Sequence, residues 1–341
     1  MRLKTIKSRN IFFFLGFLAL LGMAWKIGFG TIAENVIRTG WWSLAIVGMW
    51  LPIYLINTWS LNLIIRDDDP KHRTVPFLHI FKINVSGFAM KAATPLGFFG
   101  GDPYKIVELK RFYGVEKATS STMLYTMTHI SAQFIFWALS IVVAALFLVL
   151  PGSMNQLLLI AFICFLIIIL CLWRGYRNGL TLRFFNVLSK IPLLKRKLIP
   201  FCEKYQERFV QIDHQISYLY HHRRKTFLLT LALEFLARVL NGVEVFVILH
   251  SAHVEVGFVQ SIVIYSFMSL FTNIFFFSPM QIGTREVGFM LPFKALGLPG
   301  GLGVYVSLIT RVRELIWIGI GILLMRVRSG FAPKPIEQPQ E

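Results

Sequence analysis

The sequence predicts an all-α polytopic membrane protein with about six full transmembrane helices and two oppositely oriented re-entrant broken-helix segments. Three observations carry this. Of the 341 residues 55% are hydrophobic and 15% charged, whereas a soluble domain carries roughly 25% charged residues, so a water-compatible surface cannot be built. Six apolar stretches, 11–30, 41–65, 123–150, 156–173, 227–250 and 302–325, reach the roughly 20 residues a helix needs to cross a bilayer. Two more, 77–93 and 257–278, are interrupted or followed by Pro, Gly and charge.

The first span follows a start that carries Arg2, Lys4, Lys7 and Arg9 and reads as an uncleaved signal anchor with a cytoplasmic N-terminus. The second span returns to Arg66, Lys71 and Arg73. Beyond 77–93 come Lys105, Lys110, Arg111 and Lys117, so that segment enters and leaves from the cytoplasm. Span 123–150 goes out, turns at Pro151-Gly152 and returns as 156–173 to the basic segment 174–225. Span 227–250 exits again, and the last span must run inward because Arg326 and Arg328 follow it. Segment 257–298 therefore begins and ends outside. Opposed re-entrant segments are the signature of inverted repeats. The formal charge of +18 is explained by this topology, and no nucleic-acid partner is expected. The whole of 1–330 reads as one transmembrane domain of the cytoplasmic (inner) membrane, followed by a flexible tail, 331–341.

Within 174–225, Phe201, Tyr205, Phe209, Ile212, Ile216 and Leu219 recur at helical spacing, which fits either a helix on the bilayer surface or one packed on its own bundle. Cys164, Cys171 and Cys202 have no metal-ligand spacing and are expected as free thiols. Asp67-Asp68-Asp69 sits beside basic residues in a short loop and reads as solvated. No metal and no cofactor is expected.

The two interrupted segments share a pattern. The first runs Pro95-Leu96-Gly97 to Gly100-Gly101-Asp102-Pro103-Tyr104-Lys105; the second runs Pro279-Met280-Gln281-Ile282-Gly283-Thr284-Arg285-Glu286. In each, Pro disrupts a helix, Gly permits a tight turn, and an acid follows the Pro by seven positions. Asp102 and Pro103 suit the cap and first position of a short helix ending near Gly114. Thr284 suits the cap of another that runs to about Gly297. Helix N-termini facing a break attract phosphate or carboxylate, and non-helical backbone at membrane depth is tolerated only inside protein or beside a cavity. Two simple reversal loops remain the alternative.

The last span also holds Arg311, Arg313 and Glu314 away from its ends, at roughly 2.5–3.5 kcal/mol per charge on insertion scales. Helical geometry lets Arg311 pair with Glu314 and leaves Arg313 in need of another partner. Glu234, Arg238 and Asn241 form one stripe in the preceding span and read as a structural pair, and His129 reads as a buried hydrogen-bonding residue.

These motifs, with Arg311 ahead of Gly319 and Gly321, resemble the flippase-like, lysylphosphatidylglycerol synthase-type transmembrane family, also found as the membrane part of multiple peptide resistance factors. The resemblance covers nearly the whole chain. It implies movement of anionic or modified lipids across the membrane. Some members are fused to aminoacyl-lipid synthase or glycosyltransferase domains, for which the tail after Met325 is too short, so a separate lipid-modifying enzyme is the expected partner and synthase activity is not expected. The Gly-Gly-Asp-Pro of the first motif differs from some relatives, so no particular lipid carries over.

The sequence therefore points to a lipid translocase, not an enzyme. The binding residues are Pro95, Gly97, Gly100, Gly101, Asp102 and Lys105 at the first break, and Pro279, Gly283, Thr284, Arg285 and Glu286 at the second, with Arg311 and Glu314. Lys105, Arg285 and Arg311 would receive an anionic headgroup, while Asp102 and Glu286 would cap, pair with them, or bind a cationic headgroup or proton. The alternatives are a membrane-embedded transferase with Asp102 or Glu286 as general base, and a non-catalytic subunit that docks through 174–225.

Overall fold

The computed structural model describes residues 39–66, 75–93, 101–147, 152–178, 220–275 and 283–327, with Gln281 and scattered positions within 22–37 and 210–218. Most of the expected first span and of the basic segment, with the tail, Cys202, Pro95, Gly97, Gly100 and Pro279, lie outside the described residues.

Every described element is helical. Helices α1 (Trp42–Gly48) and α2 (Trp50–Ile65) run on through Met49, whose backbone is itself helical (φ −60°, ψ −21°). Then follow α3 (Phe77–Ala93), α4 (Gly101–Phe147), α5 (Gly152–Asn178), α6 (Arg224–Ser251), α7 (Phe258–Ile274), α8 (Thr284–Ala295) and α9 (Gly300–Arg326). Among the described residues three stretches, Trp42–Ile65, Gly101–Phe147 and Gln156–Tyr176, are long and apolar enough to cross a membrane. The expected spans 227–250 and 302–325 fall in α6 and α9, which are 28 and 27 residues long and carry charges in their middles.

The element order repeats. A long helix (α2 or α6) is followed by a helix of 17 residues (α3 or α7), a break, a short helix, a glycine turn and a second long helix. The first short helix is the start of α4, which bends at Gly114 (φ 77°, ψ 168°); the second is α8, followed by Gly297 (φ 72°). Both turns need the left-handed region that a side chain disfavours, so the predicted ends of both short helices are met.

Two apolar clusters mark opposite ends of the bundle. One joins Ile65 of α2, Val75 and Ile80 beside and within α3, Tyr113, Tyr176 and Phe227. The ends of α2 and α6 meet here where Arg223 donates to the Arg66 carbonyl (2.5 Å), and α9 arrives where Lys82 donates to the Val327 carbonyl. Arg66, Lys82, Arg111, Arg223, Arg224 and Arg326 all lie at or near this end. The other cluster joins Ile46, Ile248, Leu249, Val256, Phe293 and Tyr305. So α3 sets out from the basic end and α7 from the other.

Small residues let the helices cross closely, as packing within a bilayer requires. A Cβ on Gly321 of α9 would lie 2.7 Å from the Val85 carbonyl oxygen and 2.7 Å from the Ala89 Cβ of α3. One on Gly303 would meet the Met290 backbone at 2.7 Å. Helix α5 is the peripheral one: Leu157, Ile160, Ile163 and Ile167 are exposed, a face suited to acyl chains. Its Cys164 and Cys171 are free thiols.

Candidate functional site

The charges that the hydrophobic stretches cannot accommodate gather around the two breaks. At the second, Glu286 is the third residue of α8 and reaches back so that the Gly283 N–H donates to its Oε2 (2.8 Å). Half of a capping box is made this way; Gly283 has no side chain to return the bond. Arg311 on α9 donates to both carboxylate oxygens of Glu286 (2.8 and 3.1 Å) and to the Gln281 carbonyl (2.9 Å), and Ser307 adds a bond to Glu286 Oε1 (3.0 Å). Gln281 stands at φ 53° and Gly283 at φ 82°, a pair of sparsely populated conformations that present this carbonyl to the guanidinium.

Arg285 is the counterpart on the other side of α8. It donates to Glu314 Oε2 (2.5 Å) and to the Gln281 side-chain oxygen (2.8 Å). The expected Arg311–Glu314 pair within α9 is therefore corrected: each residue pairs across to α8, where a bidentate Glu286 carboxylate facing the Arg311 guanidinium outcompetes an i,i+3 neighbour and leaves Glu314 to Arg285. Thr284 is not the cap either. Gly283 holds that position, and the buried Thr284 hydroxyl has no hydrogen-bond partner.

Arg313, 5% exposed, finds a partner that the sequence reading missed. Its Nε lies 3.0 Å from Glu244 Oε1 of α6, and its guanidinium stacks 3.7 Å above the Trp50 ring of α2. Trp50 Nε1 donates to the other Glu244 oxygen (3.1 Å). One buried charge pair thus ties α2, α6 and α9. The only sequence signal for it was a third charge, Glu244, in an apolar span.

At the first break α4 begins at Gly101, one residue before the Asp102 expected as its cap. Asp102 lies in the first turn, accepts from Thr126 Oγ1 (2.9 Å) and sits 3.6 Å from Lys105 Nζ. Lys105 packs over the Tyr125 ring at 4.6 Å. A Cβ on Gly101 would meet the Gly87 carbonyl oxygen and the Lys91 Cβ at 2.9 Å each, which presses the short helix against α3. Lys91, unassigned by the sequence reading, is in electrostatic reach of Asp102, Lys105 and Arg238.

The expected Glu234–Arg238 pair is bridged. His129 Nδ1 is 2.6 Å from Glu234 Oε2, and Arg238 donates to His129 Nε2. The two breaks also share a connection: the acid of each short helix is bonded from the following long helix, Asp102 from Thr126 and Glu286 from Arg311. Helix α6 serves both clusters, with Glu234 and Glu244 about 15 Å apart along its axis.

Neither a characterised protein nor a solved structure matches the chain. The family model does: residues 10–321 match that of the lysylphosphatidylglycerol synthase TM region, and the chain belongs to this family.

Proposed function

We propose that the protein carries a lipid with an anionic headgroup across the cytoplasmic membrane, the headgroup passing between the two broken segments. The observation that carries this reading is the pair of charged clusters around the breaks of an otherwise apolar bundle. A plain anchor has no use for Lys105, Arg238, Arg311 and Arg313 at this depth, since each costs energy to bury. Polar residues inside a membrane protein mark pathways, and short helices starting at a break offer backbone N–H groups to an anion.

The charge balance assigns roles. Around the second break Arg285, Arg311 and Arg313 face Glu244, Glu286 and Glu314, three against three. Around the first, Lys91, Lys105 and Arg238 face Asp102 and Glu234, three against two. The headgroup phosphate binds first at Lys91 and Lys105, and engages Arg285 and Arg311 only by taking the place of Glu314 and Glu286. The basic end faces the cytoplasm, with both chain termini, and the helices form six crossings plus two re-entrant segments of opposite direction.

The lipid that co-purifies with the protein, identified by mass spectrometry of its headgroup, tests this reading. An anionic or aminoacylated phospholipid or a polyprenyl phosphate, enriched over the bulk membrane and lost in Lys105→Ala, is the expected result. A co-purified lipid mixture identical to the bulk membrane in both proteins contradicts it.

A further inference from the structure

We propose that His129 is the proton site of this carrier, so that a proton and an anionic headgroup occupy the first break together; this rests on the lipid reading above. His129 is set between a carboxylate and a guanidinium. Its Nδ1 lies 2.6 Å from Glu234 Oε2 and its Nε2 accepts from Arg238 Nη2. A neutral imidazole satisfies both neighbours in one tautomer alone, with the hydrogen on Nδ1. The site therefore holds a proton acceptor whose lone pair is occupied by a cation.

A proton that binds Nε2 turns this acceptor into a donor, and Arg238 must let go. The Nδ1–H bond to Glu234 stays, and the Glu234 carboxylate balances the new imidazolium. Arg238, whose Nε has no hydrogen-bond partner, is then released beside Lys91. The first break gains one positive charge and a guanidinium released from the imidazole and held by Tyr265, so phosphate binds there more tightly. By linkage the bound phosphate favours the proton equally. When the anion leaves, Arg238 returns to Nε2 and the proton departs.

The surroundings leave His129 as the group suited to this exchange. Facing it are Glu234 and Arg238 from α6 and Lys91 from α3. Tyr125 of its own helix stands with its ring centroid 6.0 Å away, and Asp102 is held one turn off by Thr126. From α7, Tyr265 bonds Arg238; from α5, Tyr176 is paired with Ser131 (2.9 Å); from α2, Tyr54 is the nearest titratable group, through Tyr125. The His129 side chain is 29% exposed while that of Glu234 is 0%, so of the two it is the imidazole that reaches the surface of the bundle.

The test uses the full chain in vesicles of phosphatidylglycerol and phosphatidylethanolamine with headgroup-labelled phosphatidylglycerol and a pH gradient of either sign. The labelled lipid is expected to cross faster from the acidic to the alkaline side than in reverse, by up to about tenfold per pH unit for one coupled proton. His129→Gln should cross at a rate that ignores the gradient. A wild-type rate indifferent to the gradient, or a gradient response kept by His129→Gln, overturns the proposal. Nitrogen NMR of the histidines in bilayers provides a second reading independent of transport and of that variant's folding. The His129 signal, assigned in wild type through its connection to the neighbouring Ile130 backbone, should report the Nδ1–H tautomer at alkaline pH and an imidazolium on acidification. If wild type moves no labelled lipid, the lipid reading fails while the spectrum still decides the proton site: conversion supports it, and an imidazole neutral throughout overturns it.

Discussion

At the second break three arginines are each held by a glutamate, whereas at the first three cations share two carboxylates and a histidine stands between two of the charges. The backbone plan is the same on both sides: a 17-residue helix, a break, a short helix and a glycine turn. The difference teaches that the repeat supplies two helix N-termini, while the side chains set the charge balance around each; in the proposed carrier that balance makes one break locked and the other receptive. Balanced ion pairing resists opening; a surplus cation invites an anion.

Removing a carboxylate should therefore cost more where it holds a buried arginine at the second break than where it is half exposed at the first. Glu244→Ala leaves Arg313 buried against Trp50 and should destabilise the protein by about 3–5 kcal/mol, read as a loss of thermal stability in detergent. Asp102→Ala, whose side chain is 42% exposed, should cost no more than about 1 kcal/mol. Equal losses at the two sites would erase the distinction between locked and receptive breaks.

The next effect concerns the frame that both breaks share. Gly321→Val pushes a side chain into the Val85 backbone and should cost about 1–3 kcal/mol in the same assay. Gly48→Val, with open space around it, should cost under about 1 kcal/mol. Smallest of all is Thr284→Val. A capping threonine is worth about 1 kcal/mol, but this hydroxyl is buried without a partner, so the change should be neutral or slightly stabilising. A loss of a full kcal/mol would restore the cap that the sequence suggests.

Much of this frame was legible in the chain. Helices that end at Ala93 and Ile274 and resume at Gly101 and Thr284 bracket the interrupted segments, and the positive-φ glycines at 114 and 297 end the short helices where the sequence places them. The intramembrane charges also announced themselves, since three in one apolar span demand partners. Their pairing was not legible. Helical spacing joins Arg311 to Glu314, yet both turn to α8, because partner choice depends on which helix packs opposite. Glu244 and Lys91 gave no local pattern, and His129, read as a buried hydrogen-bonding residue, has its two partners 105 and 109 residues away.

Lipid crossing through the proposed receptive break is measured most directly with headgroup-labelled anionic lipid in vesicles containing the purified protein. Wild type should exceed empty vesicles, and Lys105→Ala should slow crossing about tenfold, a loss of roughly 1.4 kcal/mol at the barrier. Arg285→Ala and Arg311→Ala should slow it as well, without unfolding the protein. Crossing no faster than in empty vesicles for every anionic lipid tried, or a folded Lys105→Ala as fast as wild type, would contradict it.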